Sequence, residues 1–513
     1  MAKMRLRFTF SRLSFAINQK MTNFTHNNGH GNSCQATIMA GQNRAAYNYA
    51  TYLLHILNTQ KSKIMKMRRL FGSLLCAAAI SGYTAHPATA QETPEQREKR
   101  MEWFDHAKLG IFIHWGIYSV NGVSESWSFH NNYLPYDEYM SQCDGFTASN
   151  YDPKAWLDLI KESGARYTVI TTKHHDGVAL WNTKQSDLNT IKATAAKKDL
   201  LTPFVKEVRK HGLKLGLYYS LIDWSHPDYP NFTRTETRYD VKDDPARWKK
   251  FLDFDFAQLE ELNAYKPDLY WFDGDWEQSA ETWNAKGMAE MLRNANKNII
   301  INSRIQGYGD YATPEQGVPV VRPEDRYWEL CMTMNDSWGY QHADTNYKSP
   351  YILLRTFCDC LSMGGNMLLD IGPKEDGTIP EEQVAVLKEF GRWTKKHKEA
   401  IYDTRAGISG EHFHGYSTLN KSGDVLYLYL PYRPNGPIEV KGLMNKINRV
   451  WVVGAGTIIP CKIHNKNYWS EVPGNLYIDV PEQALDPMIT VVAILLDGPV
   501  KLYKGAGKVI ESN

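Results

Sequence analysis

The chain has no long hydrophobic run, no excess of either charge and few cysteines, and each absence narrows what it can be. Its most apolar stretch, Leu70 to Ile80, has 11 residues, well short of the ~20 that span a bilayer. Against 59 Lys and Arg stand 57 Asp and Glu, a net charge of +2, and the signs are interspersed. A nucleic-acid or membrane-surface partner calls for a basic block or face, so neither is expected. Of seven cysteines, Cys34 and Cys76 lie upstream of the segment expected to fold. The remaining Cys143, Cys331, Cys358, Cys360 and Cys461 are odd in number, which argues against a disulfide framework. Cys358 and Cys360, in an apolar helical stretch, read as buried packing rather than metal ligands. No GxGxxG, P-loop, HExxH or GxSxG occurs in a supporting context, so nucleotide-binding, zinc-protease and serine-hydrolase signatures are missing.

The N-terminus reads as a leader. Lys66, Arg68 and Arg69 precede the apolar run, and Ala88-Thr89-Ala90 follows as an A-x-A cleavage site, the pattern of a secretory signal peptide. Residues 65–90 are therefore expected to be removed, with the biological start at Met65 or Met67. Residues 1–64, polar and without periodicity, read as a mis-called start or a disordered extension. Leu75 before Cys76 argues against a lipoprotein anchor. The mature chain, from Gln91, is expected to be secreted or periplasmic, with no membrane anchor.

Aromatics are plentiful: 12% of residues, including 15 Trp. A flat indole covers the apolar C–H face of a pyranose, so Trp-rich clefts suit sugars, although many of these rings must simply fill the core. From residue 91 to 406 short apolar runs alternate with amphipathic helices, the pattern of repeated βα units. Strands are expected at Leu109 to His114, Tyr167 to Thr172, Leu213 to Tyr219, Asp268 to Phe272, Ile299 to Ser303, Glu329 to Met334 and Asn366 to Ile371. Helices are expected at Pro153 to Ser163, Leu200 to His211, Arg247 to Tyr265 and Ile379 to His397. The pattern predicts an α/β fold, a (β/α)8-like (TIM) barrel with an irregular or missing helix. Over residues 407–513 alternating strands such as Val425 to Leu430, Arg449 to Val453 and Thr490 to Leu496 predict an antiparallel β-sandwich. It shows no evident exposed aromatic platform and is expected to act as structural support.

The stretch Asp268 to Glu277 (DLYWFDGDWE) puts Asp273 at the tip of a β-prone run broken by Gly274, and a parallel barrel carries its chemistry at that rim. Other strands end in His114-Trp115, Lys173-His174-His175-Asp176, Tyr218-Tyr219 and Arg304. His174 and His175 are adjacent, so on an extended backbone they point to opposite sides and share no metal ion easily. Glycoside hydrolysis usually needs two carboxyl groups. Asp273 supplies one. The second is Glu315, in a glycine-flanked loop able to swing over a pocket, or Glu329, which opens a strand at the less favoured barrel end; Glu315 is preferred. Asp275 and Glu277 read as solvated loop charges.

In order along the chain, HWGIYSV, TTKHHDGVALW, GLYYSLIDW, WFDGDW, TPEQ, NDSWGY and NMLLDIGPKEDG resemble the α-L-fucosidases of glycoside hydrolase family 29, over roughly Met101 to Ala406. The resemblance implies a retaining double displacement on fucosylated oligosaccharides or glycoconjugates, on a barrel with a C-terminal β-sandwich and with no metal or organic cofactor. It implies Asp273 as nucleophile and a fucose pocket lined by His114, His174, His175, Tyr218, Trp271, Arg304 and Trp338. Related loops carry the acid/base where Glu315 stands, with Glu329 as a supporting residue. The family's Glu-Trp pair here reads Glu125-Ser126-Trp127. Trp127 is kept, and Glu125 reaches the sugar only if the backbone shifts. A catalytically silent carbohydrate-binding protein and an α-L-galactosidase-like glycosidase are the alternatives.

Overall fold

The computed structural model describes residues 92–505, so the expected extension and signal peptide lie outside the described residues. The chain enters through α1 (Pro94–Ala107), started by a capping box: Thr93 Oγ1 accepts from Gln96 N at 3.2 Å while the Gln96 side chain accepts from Thr93 N at 2.9 Å. There follow β1 (Leu109–Ile113), α2 (Pro153–Glu162), β2 (Tyr167–Lys173), α3 (Leu201–Lys210), β3 (Lys214–Ser220), α4 (Pro245–Asn263), β4 (Leu269–Asp273), α5 (Ala285–Ala295), β5 (Ile300–Ile301), β6 (Glu329–Thr333), α6 (Pro350–Met363), β7 (Asn366–Ile371) and α7 (Glu381–Ile401). All seven expected strands form, and the four expected helices sit within two residues or so of their predicted starts. Helices α1 and α5 were not expected, and α6 was foreseen only as the helical stretch around Cys358 and Cys360.

The seven strands form one parallel sheet in the order β5-β4-β3-β2-β1-β7-β6. Its two edges are joined by the segment 311–315, through parallel bridges Asn302↔Tyr311, Ala312↔Trp328 and Glu315↔Cys331. This irregular eighth stave has no helix before or after it, which accounts for a barrel with seven legible strands. It also corrects the expectation of a swinging loop. The backbone at Glu315 is pinned, with Cys331 N donating to Pro314 O at 3.1 Å and Gln316 N to Cys331 O at 2.9 Å, so only the side chain can turn.

Side-chain alternation divides each strand between two layers. On β4, Leu269 and Trp271 face the barrel interior with Phe112, Tyr167, Val169, Tyr218, Cys331 and Leu368, while Tyr270 and Phe272 pack outward under the helices. Asp273 is in the inward phase, as are His114, directly after β1, and Asp370 on β7. The register of β2 against β3 slips between Thr171 and Lys173. That irregularity turns Lys173 outward, where it is fully buried against Asp255 (3.5 Å) and Asp223 (3.7 Å) and does not reach the rim.

Beyond α7 come β8 (Arg405–Ala406), β9 (Tyr416–Leu419), β10 (Val425–Leu430), β11 (Ile438–Val440), β12 (Ile447–Val452), β13 (Cys461–His464), β14 (Asn475–Ile478) and β15 (Thr490–Leu496), in two antiparallel sheets ordered β8-β9-β10-β15-β12 and β11-β14-β13. Leu426, Leu428 and Leu430 face the second sheet, whereas Tyr427 and Tyr429 join the barrel-side core. The first sheet is thus fused to α7. Trp393 Nε1 donates to Ile489 O at 2.8 Å, and Arg392 and Lys396 hold the buried side chain of Asp486 at 2.9 and 2.7 Å. Contrary to expectation this region does expose aromatics: Tyr468 is 95% and Trp469 63% exposed between β13 and β14. Their rings stand at 87°, so they share no flat face. Among the described residues no helix is long and apolar enough to cross a membrane.

Candidate active site

A cavity of about 230 Å³ opens at the C-terminal rim of the barrel, lined by Phe112, His114, Glu125, Trp127, His174, Tyr218, Trp271, Asp273, Trp276, Arg304, Glu315 and Trp338. This is the end at which parallel barrels place their reactive groups. Asp273 ends β4, and Gly274 turns the chain away at φ +89°, where a Cβ would meet Ile222 at 2.7 Å. The turn therefore requires glycine.

Arg304 organises the centre. Its Nη1 donates to Asp273 Oδ1 at 2.8 Å, its Nη2 to Glu315 Oε2 at 2.7 Å and its Nε to Thr313 Oγ1 at 3.2 Å, while the guanidinium lies 4.5 Å from the Trp271 ring. Tyr218 Oη donates to the other Asp273 oxygen at 3.0 Å. One arginine thus spans both carboxylates, and charge-assisted bonds of this kind are the strong ones. The two differ in exposure: the Glu315 side chain is 42% exposed and that of Asp273 12%.

Glu329 lies lower in the barrel, outside the cavity lining and fully buried. It accepts from Trp271 Nε1 at 3.0 Å and from Tyr167 Oη at 2.5 Å. Burial raises its pKa to about 7. It holds the indole on which Arg304 rests. The structure therefore brings Glu315, and not Glu329, to the cavity with Asp273.

His114 and His174 line one wall, with His175 packed behind them. His114 Nδ1 meets Asp370 Oδ1 at 2.7 Å. Burial, and then the neighbouring His174, holds His114 well below its ordinary pKa, and burial raises Asp370 well above the carboxylate range, so the contact joins groups biased to their neutral forms. His174, hydrogen-bonded to Ser126 Oγ, and His175 are likewise held neutral chiefly by burial. The expectation that adjacent His174 and His175 point apart fails. The chain leaves the extended conformation after Lys173, with Gly177 N donating back to His174 O at 3.1 Å, and the rings lie 4.3 Å apart. Even so, among the described residues no group of three or more His, Cys, Asp or Glu is arranged to hold a metal ion.

His175 sits behind the lining, its Nε2 3.6 Å from Asp273 Oδ2 and without a hydrogen-bond partner. Ser220 donates its hydroxyl proton to Ile222 O at 2.6 Å, so at 2.5 Å it accepts from His175 Nδ1–H. In the neutral ring that leaves Nε2 as a bare acceptor.

Glu125 does reach the cavity. Its backbone adopts φ +33°, and its buried carboxyl accepts from Gly339 N at 2.7 Å. Burial raises the Glu125 pKa to about 7. Asp275 and Glu277 are not solvated charges. Asp275 accepts from Gln306 N at 3.2 Å, and Glu277 accepts from Trp224 Nε1, Tyr229 Oη and Asn231 Nδ2 at 3.0, 2.7 and 2.8 Å, tying down the loop after β4. Phe112 and Trp276 line the cavity without having been expected. Phe112 was signalled by its inward phase two residues before His114, and Trp276 by its place in the same DGDWE stretch as Asp273.

A family model described as Alpha-L-fucosidase matches residues 76–399. The chain is 31% identical to a tissue alpha-L-fucosidase of Macaca fascicularis over 74% of this chain and 84% of that one. It is 32% identical to an alpha-L-fucosidase of Branchiostoma floridae over 59% of this chain and 72% of that one. Among solved structures, alpha-L-fucosidase isoenzyme 1 from Paenibacillus thiaminolyticus superposes with a TM-score of 0.71 at 33% identity, covering 78% of this chain and 99% of that one. A Bacteroides thetaiotaomicron alpha-L-fucosidase, trapped as a covalent intermediate with 2-fluoro-fucosyl fluoride, does so with a TM-score of 0.67 at 27% identity, covering 78% and 96%.

Proposed function

The chain belongs to the alpha-L-fucosidase family and is a glycoside hydrolase; from that premise we propose a retaining, exo-acting enzyme that removes terminal α-L-fucose from oligosaccharides or glycoconjugates, with Asp273 as nucleophile and Glu315 as acid/base. The observation that carries this reading is the grip of Arg304 on both carboxylates, at 2.8 and 2.7 Å. One guanidinium bonded to both groups puts two carboxyls at a single cavity, the pair that glycoside hydrolysis needs.

In the first step the Asp273 carboxylate attacks the anomeric carbon. Glu315, protonated, gives its proton to the departing glycosidic oxygen as the C–O bond breaks. Asp273 is then a neutral ester and Glu315 an anion, so Arg304, which began by stabilising the aspartate, now stabilises the glutamate. In the second step Glu315 takes a proton from water, the hydroxide oxygen attacks the anomeric carbon, and fucose leaves with its configuration retained while Asp273 regains its charge. His114 and His174, which line the cavity and have Nδ1 engaged with Asp370 and Ser126, turn Nε2 toward the sugar hydroxyls. Phe112, 5.1 Å from the Trp271 ring and 6.1 Å from that of Trp338, supplies an aromatic patch for the C5 methyl that distinguishes fucose from L-galactose. We also infer export, on the charged, apolar and A-x-A segments of residues 65–90.

The test is hydrolysis of an aryl α-L-fucoside and an aryl α-L-galactoside by the mature protein and by Asp273→Gly. The fucoside should be cleaved faster, with the α-anomer of the sugar appearing first. Undiminished activity in Asp273→Gly, or first release of the β-anomer, would remove the assignment.

A further inference from the structure

Trp276 is unlike the other aromatic residues of the cavity wall. It is 51% exposed, whereas Phe112, Tyr218 and Trp271 are at most 3% exposed. A large apolar ring left in water at the mouth of a pocket marks a contact surface. Its position is fixed by its neighbours rather than by its own burial. Trp283 Nε1 donates to Asp275 O at 3.0 Å on one side of it, and on the other Glu277 accepts the three hydrogen bonds described above. The indole lies nearly parallel to that of Trp127, at 14° and 6.3 Å between centroids, and edge-on to His175 at 6.0 Å. The face is therefore held in place before any ligand arrives.

We propose that Trp276 is the platform for the sugar to which fucose is attached, and that it makes the enzyme prefer a pyranose leaving group over a small one. This rests on the fucosidase reading above. The fucose side of the cavity is closed by buried groups, and the leaving oxygen must lie beside Glu315, the exposed carboxylate of the pair. The rest of the leaving group therefore extends through the open side of the cavity, where Trp276 stands. A six-membered sugar with an apolar C–H face covers an indole; a single atom does not.

The experiment compares kcat/KM for α-L-fucosyl fluoride, whose leaving group is one atom, with that for fucosyl-galactose and fucosyl-N-acetylglucosamine disaccharides, in wild type, Trp276→Ala and Trp276→Phe. In Trp276→Ala the ratio of disaccharide to fluoride should fall on the order of tenfold for at least one disaccharide, chiefly through KM, with Trp276→Phe intermediate. An unchanged ratio in Trp276→Ala, whether both activities persist or fall together, would overturn the proposal. A wild type that cleaves neither the fluoride nor the disaccharides would instead remove the fucosidase reading, and this proposal with it.

Discussion

Replacing Glu329 by glutamine removes one titrating group from the barrel interior while keeping its shape. The side chain is fully buried, and burial lifts its pKa from 4.5 to about 7. In the unfolded chain the same carboxyl ionises near its ordinary value. The folded state therefore holds a proton that the unfolded state gives up, and the associated stability is fully present below pH 4.5 and lost as pH rises to 7. Across the rise from 4.5 to about 7, at ~1.36 kcal/mol for each step in pH, this makes about 3 kcal/mol. Glutamine resembles the protonated acid: its oxygen accepts from Trp271 Nε1, and Tyr167 Oη turns to accept from its amide. Glu329→Gln should match wild type within about 1 kcal/mol at pH 4.5 and exceed it by about 3 kcal/mol at pH 7.5. Glu125, Asp255 and Asp176 are also raised by burial, to about 7, 7 and 6, but they titrate in both proteins and cancel in the difference. Urea unfolding of the two proteins at pH 4.5, 6 and 7.5 gives the comparison. A stability difference that stays constant across those pH values would refute the reasoning.

Of the two candidate acids, Glu315→Ala should lose hydrolysis of an aryl fucoside and regain it with azide, whereas rescue confined to Glu329→Ala would move the role to Glu329. Lys173→Met leaves Asp255 buried without the ammonium that pairs with it at 3.5 Å and should cost roughly 3 kcal/mol in denaturant unfolding. The double variant Lys173→Met/Asp255→Leu should recover most of that; equal losses in the single and double variants would show that the pair is not what the position requires. Hydrolysis should survive prolonged treatment with a strong chelator, and a loss reversed by one divalent cation would contradict the reading of the histidine wall.

Where backbone pairing and side-chain pattern agree, the sequence is a good guide. The parallel strands are short and largely apolar, because strands covered on both faces bury most of their side chains, and Asp273 follows from that pattern plus one glycine. The tetrapeptide TPEQ shows the boundary. At Thr93 to Gln96 it caps a helix through its own side chains. At Thr313 to Gln316 the same four residues lie extended, because Pro314 and Gln316 pair with Cys331 and Thr313 is taken by Arg304. Only distant partners distinguish the two, which is why the eighth stave was not legible. Reading Lys173 at the rim, and His174 and His175 on opposite sides, assumed an unbroken strand; one register slip and one turn undo both. The reach of Glu125 depends on a single residue at positive φ, and Asp275 and Glu277 were misread because their partners lie elsewhere in the chain.

The claim on which the rest depends is that Asp273 forms the covalent bond to the sugar. Incubating the protein with 2-fluoro-fucosyl fluoride and mapping the adduct by peptide mass spectrometry measures that directly. A fluorofucosyl increment on the peptide containing Asp273, localised to that residue by fragmentation and missing from Asp273→Gly, is the predicted result; an adduct on Glu315, Glu329 or any other residue, or turnover of the reagent with no adduct at any time, would contradict it.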